Sequence, residues 1–82
     1  MYVANHKDKS FLIAFGSNLK KIREQKTITQ AQLAIDCNFD VSVISRIERG
    51  AVNTSVLNLK LIAIALDIKI KELFDFEKDL QS

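Results

Sequence analysis

Ser42, Ser45, Arg46 and Arg49 fall within one short stretch and bring together two forked cations and two short hydroxyls. A guanidinium binds bidentately to phosphate or to the O6 and N7 edge of guanine, and a serine lets a helix come close to a groove wall. Glu48 is the one acid among them, whereas a helix that merely had to be solvated would mix Glu with Lys. The competing reading is a solvated face on a small helical domain, and these side chains alone do not separate the two.

Other chemistries are poorly supplied. The single histidine, His6, stands in a polar opening segment, and Cys37 is the single cysteine, so no Cys–His pair and no metal-ligand cluster is at hand. With only 2 Gly there is no glycine-rich phosphate loop, and the carboxylates are scattered over helix surfaces. No catalytic residue, no metal site and no cofactor is expected, and the chain is not read as an enzyme. Cys37, lacking a partner and set in an apolar stretch that includes Leu33, Ala34, Ile35 and Phe39, is expected to be a buried thiol in a reducing cytosol. No charged-then-apolar leader opens the chain and no apolar run approaches about 18 residues, so the expected location is cytoplasmic, with no membrane partner.

The scaffold follows from composition and periodicity. The 82 residues are 48% hydrophobic with no Pro, which suits one small domain of packed helices, because hairpins and long loops would demand turn residues that are missing. The expected domain plan is a flexible arm over residues 1–9 and a single domain over residues 10–82. Ser10 is expected to cap the first helix, whose core stripe is Phe11, Phe15, Leu19 and Ile22. Thr29 caps a second helix with Gln32 in the capping-box position, and Ile28 and Leu33 sit at staple spacing. Asp40 starts a third helix in the same way, with Phe39 and Ile44 in the staple positions. Asn38, tolerant of a left-handed backbone, stands where the chain must reverse, and Gly50 ends the third helix. Ser55 caps a fourth helix to about Leu66, and a fifth spans about Ile70 to Phe74, with Glu77 to Leu80 as a continuation. Five helices and no strand are expected: an all-α fold with a short helix, a tight turn and a second helix from Thr29 to Gly50.

The formal charge of +2 is too small to imply a polyanionic partner, but its distribution is uneven. Residues 1–50 hold eight Lys or Arg against five Asp or Glu, and residues 51–82 hold four against five. The basic half contains the turn motif, and Lys20, Lys21, Arg23 and Lys26 cluster on the first helix and its exit.

Taken together, LKKIREQ, TQAQLA, ISRIERG and LKLIAIALDI followed by KELF resemble the lambda-repressor-like, Cro/C1-type (XRE) family of helix-turn-helix transcriptional regulators, over about Phe15 to Phe74. The resemblance implies a five-helix domain that binds double-stranded DNA through its third helix in the major groove. It implies that Gln30 contacts the DNA backbone, that Val41, Ser42 and Arg46 read bases, and that Ser45, Arg49 and Asn53 contact phosphates. It also implies an internal salt bridge between Arg23 and Glu48. Asn38 departs from the usual turn glycine, and Asp40 from the usual Ser or Thr, so Asp40 is assigned to capping alone. Within the family, restriction-modification controllers, phage or plasmid repressors and antitoxins all remain open, as does a bridging module of the same fold that never meets DNA.

The fourth helix is apolar on two faces. Its expected core stripe is Val56, Leu59, Ile62, Ala63 and Leu66, yet Leu57, Leu61, Ile64 and Ile68 form a second stripe spaced four, three and four. A helix apolar all round must bury both faces. The cover for the second is the N-terminal arm, the tail around Phe76 and Leu80, or another copy of the protein; a two-fold homodimer through helices four and five is expected, which would present two recognition helices to a palindromic operator.

Overall fold

Three side-chain caps set the helix starts. The Thr29 hydroxyl accepts from the Gln32 amide at 3.0 Å, the Asp40 carboxylate from the Ser42 amide at 3.0 Å, and the Ser55 hydroxyl from the Asn58 amide at 3.1 Å. Each satisfies one of the backbone donors that a first helical turn leaves open. The computed structural model describes residues 6–76. In it the chain runs α1 (His6–Gln25), α2 (Gln30–Cys37), α3 (Val41–Glu48) and α4 (Val56–Leu66), then a 3-10 turn at Ile70–Phe74, with no strand among the described residues.

Three helix ends close alike, each on a non-glycine residue at positive φ: Thr27 (57°), Asn38 (59°) and Asp67 (56°). At each, the next residue's amide reaches back to the carbonyl five positions earlier: Ile28 to Arg23, Phe39 to Ala34 and Ile68 to Ala63. This is the Schellman arrangement, which satisfies orphan carbonyls while reversing the chain. Asn and Asp visit this region at low cost, but Thr27 is β-branched and is strained there.

The four helices and the turn meet in one apolar cluster. Phe15 and Leu19 from α1, Leu33, Ala34 and Cys37 from α2, Ile44 and Ile47 from α3, Leu59, Ile62, Ala63 and Leu66 from α4, and Leu73 from the turn are all buried. Phe74 and Phe76 stack against Phe15 with ring centroids 5.1 and 6.1 Å away, and Asn18 donates to the carbonyls of Glu72 and Leu73 at 3.0 and 2.9 Å. The turn is thereby fastened to α1.

Both glycines lie where α1 crosses the end of α3. A Cβ on Gly16 would stand 2.3 Å from the Ile47 carbonyl oxygen, so only hydrogen lets that backbone approach. Gly50, at φ +71°, ends α3 as expected and faces the backbone of Ile13.

Several expectations need correction. α1 begins at His6, so Ser10 lies inside the helix rather than capping it, and residues 6–9 are helical rather than part of an arm. Met1 to Asn5 and the continuation at Glu77 to Leu80 lie outside the described residues. The Thr29 capping box is half made, because the Gln32 side chain turns to Asp36 at 3.0 Å. The fifth helix is a 3-10 turn, started by the Glu72 carboxylate accepting from the Lys69 amide at 2.8 Å. Val56 is 78% exposed rather than core, because it opens α4 at the rim of a cleft lined by Phe11, Phe15, Val52 and Phe74 instead of under it.

Candidate nucleic-acid interface

α3 divides its residues cleanly. Ile44, Ile47 and Glu48 point inward and are buried, which leaves Val41 and Arg46 exposed and Ser42, Val43 and Ser45 half-buried. Arg49 follows the helix, exposed, with its Nε donating to the Ser45 carbonyl at 3.3 Å, and Asn53 is exposed in the loop before α4. The cationic residues singled out from sequence therefore share one solvent-facing surface at α3 and its exit. Lys20, Lys21 and Lys26 are also exposed.

The carboxylate of Asp40 is held below the usual carboxylate range, chiefly by hydrogen bonds from the Ser42 backbone and side chain and further by the nearby charge of Arg46. It stays ionised, caps the helix and engages the Ser42 hydroxyl. That fits its assignment to capping.

Arg23 and Glu48 form the internal bridge. Arg23 Nε donates to Glu48 Oε2 at 2.6 Å and its second fork to Oε1 at 3.0 Å, with both side chains buried, while Nη1 donates to the Ile28 carbonyl at 2.7 Å. The hydrogen bonds to Glu48 raise the guanidinium above its ordinary value, against the opposing effect of burial. Gln30 was not anticipated as part of this group. Its side-chain amide donates to Glu48 Oε1 at 2.9 Å, so one end of a residue assigned to the DNA backbone is held inside the protein. Nothing in the spacing of Gln30 and Glu48 along the chain signals the contact. Cys37 is buried, and burial together with Asp36 pushes its thiol up, consistent with an inert core residue.

The expected dimer stripe is only partly exposed. Leu57 and Ile64 are 62% and 64% exposed, but Leu61 and Ile68 are half-buried against the core. Ile68 lies past the left-handed Asp67, where helical spacing no longer sets its direction. Val56 adds to the exposed apolar surface of α4.

No group of three or more His, Cys, Asp or Glu among the described residues is placed to hold a metal ion, and no described helix is long and apolar enough to cross a membrane.

Comparison with known proteins agrees with this geometry. Residues 19–73 match the family HTH_3, described as helix-turn-helix. The chain is similar to Control protein C.MunI of Mycoplasma sp, 42% identical over 69 residues covering 82% of this chain and 93% of that protein. It is similar also to Control protein C.BamHI of Bacillus amyloliquefaciens, 38% identical over 65 residues covering 78% of this chain and 80% of that one. Among solved structures, the restriction-modification controller protein C.AhdI from Aeromonas hydrophila superposes with a TM-score of 0.78 at 38% identity, covering 79% of this chain and 98% of that one. The first two are named control proteins and the third a controller protein. With the motif matched through both of its helices and the fold shared, the chain belongs to the HTH_3 (XRE) family of DNA-binding helix-turn-helix transcriptional regulators.

Proposed function

We propose that this protein is a regulator of the restriction-modification controller type that binds a palindromic operator as a homodimer, with α3 of each copy in the major groove. One observation carries the reading: an outward α3 surface bearing Val41, Arg46 and Arg49 on a chain that covers 93% of a control protein and 98% of a controller structure. Arg46 stands mid-helix and reads a base edge with Ser42, Val41 offers an apolar contact to a thymine methyl, and Ser45 contacts a phosphate, the short hydroxyls letting the helix come close to the groove. Gln30, Arg49 and Asn53 flank the helix and anchor it to phosphates. The exposed apolar residues Val56, Leu57 and Ile64 of α4 support pairing of two copies, which would join two weak half-site contacts about 34–36 Å apart into one binding event.

Selection of bound fragments from genomic DNA tests the whole reading. A recovered palindrome with half-sites one helical turn apart is the expected result, together with affinity that falls steeply with salt. Absence of enrichment at low salt, or a flat salt response, would overturn it in favour of the bridging module.

A further inference from the structure

We propose that Glu48 is a positioning residue for DNA recognition, holding the Gln30 side chain in a fixed orientation at the start of α2. The inference rests on the reading of Gln30 as a DNA contact and adds what sets its geometry.

Glu48 has two oxygens and three donors. Oε2 takes Arg23 Nε, while Oε1 is shared by Arg23 Nη2 at 3.0 Å and Gln30 Nε2 at 2.9 Å. A carboxylate only accepts, so the nitrogen of the Gln30 amide must face it, and the orientation of that amide is settled by its partner. One N–H is spent on Glu48, which leaves the second N–H and the carbonyl oxygen for a partner outside. Arg23 is itself fixed at a third point, through Nη1 on the Ile28 carbonyl, one residue ahead of the Thr29 cap. A single carboxylate thus ties α1, the entry to α2 and the end of α3 to one side chain at the DNA-facing edge. Exposed glutamines lose considerable rotamer freedom on binding. Gln30 has surrendered that freedom before DNA arrives, and the cost falls on folding instead of on recognition.

Replacing Glu48 alone would leave the buried Arg23 charge without its partner, so the pair is removed together. Apolar residues of similar volume in place of a buried ion pair are commonly tolerated, which makes Arg23→Met with Glu48→Met the informative variant. Binding to one operator duplex is measured for the wild type, Gln30→Ala, the Met pair, and all three changes combined. Side-chain amide signals of Gln30 are followed by NMR in the free protein, and thermal melts report folding. Loss of one hydrogen bond to a charged phosphate predicts that Gln30→Ala weakens binding about ten- to a hundredfold. The Met pair should weaken it by a similar factor, shift the Gln30 amide signals towards those of a solvated glutamine, and leave the salt dependence unchanged, because no phosphate-neutralising charge is lost. The combined variant should be no weaker than Gln30→Ala.

Wild-type affinity in the Met pair, with Gln30→Ala weakened, would overturn the positioning role and leave Gln30 as a contact. Fully additive losses would also overturn it. If Gln30→Ala binds like the wild type, the proposal and the Gln30 contact fall together, while binding by the wild type still upholds the proposed function. Should the Met pair melt below the assay temperature, Glu48→Gln replaces it, since one of the two acceptor oxygens becomes an NH2 that only donates and the three donors can no longer all be served, and the same non-additivity decides.

Discussion

α3 and α4 each bury one face in the same core, yet their outer faces differ in kind. α3 buries Ile44, Ile47 and Glu48 and shows Val41 and Arg46, whereas α4 buries Leu59, Ile62, Ala63 and Leu66 and shows Val56, Leu57 and Ile64. Cationic forks in water lose little by waiting for a polyanion, but exposed isoleucine and leucine on a small domain lose free energy until something covers them. The first surface is suited to a partner that comes and goes. The second is suited to one that stays.

The largest effect that would disturb this division lies beneath α3. Glu48→Ala should reduce stability by about 3–5 kcal/mol, because it strands the buried Arg23 charge, and urea denaturation would register the loss. An intact midpoint would show that the bridge does not hold α3 in place. Next come the two faces themselves. Arg46→Ala should cost about 1–3 kcal/mol on the preferred site and relax the choice of one base pair per half-site; equal loss on every sequence would make Arg46 a phosphate anchor instead. Ile64→Arg should yield a monomer by light scattering with unaltered helical content, and persistence of a dimer would move the pairing surface off α4.

Thr27→Gly should raise stability by about 1 kcal/mol, since a β-branched residue is replaced at φ 57° by one without the Cβ clash; a lowered melting temperature would show that the Thr27 side chain compensates its own strain. The smallest effect is in acid. The folded state depresses the Asp40 carboxyl, so its contribution to stability is present above the ordinary carboxylate range near pH ~3.9 and is lost as pH falls through the lower folded value. Asp40→Asn keeps an acceptor at the cap and removes the titration, so melts between about pH 2 and pH 6 should show a shallower acid decline.

Features set by neighbours in sequence were readable before any coordinates. Thr29, Asp40 and Ser55 as caps, Asn38 in the left-handed turn and Gly50 at the end of α3 all depend on backbone groups within a few residues. The cationic surface of α3 was readable for the same reason, as helical period alone sends Ile44 and Ile47 one way and Arg46 another. What escaped was set by distant elements. The need for glycine at position 16 arises only when the Ile47 carbonyl is brought against it. The resemblance assigns Gln30 to the DNA backbone and is silent on its bond to Glu48, which exists only because the end of α3 is delivered there. A stripe drawn along an ideal helix puts Val56 in the core because it ignores where that helix begins.

The bare crossing at Gly16 and Gly50 has a mechanical corollary. With no side chain interposed between the two backbones, the end of α3 lies directly on the twenty-residue α1, and a tilt of α3 towards it would meet backbone at once. Were α3 to dock on DNA as proposed, adjustment would fall to the nucleic acid. Sequences that curve or twist cheaply would be favoured even at base pairs no side chain touches.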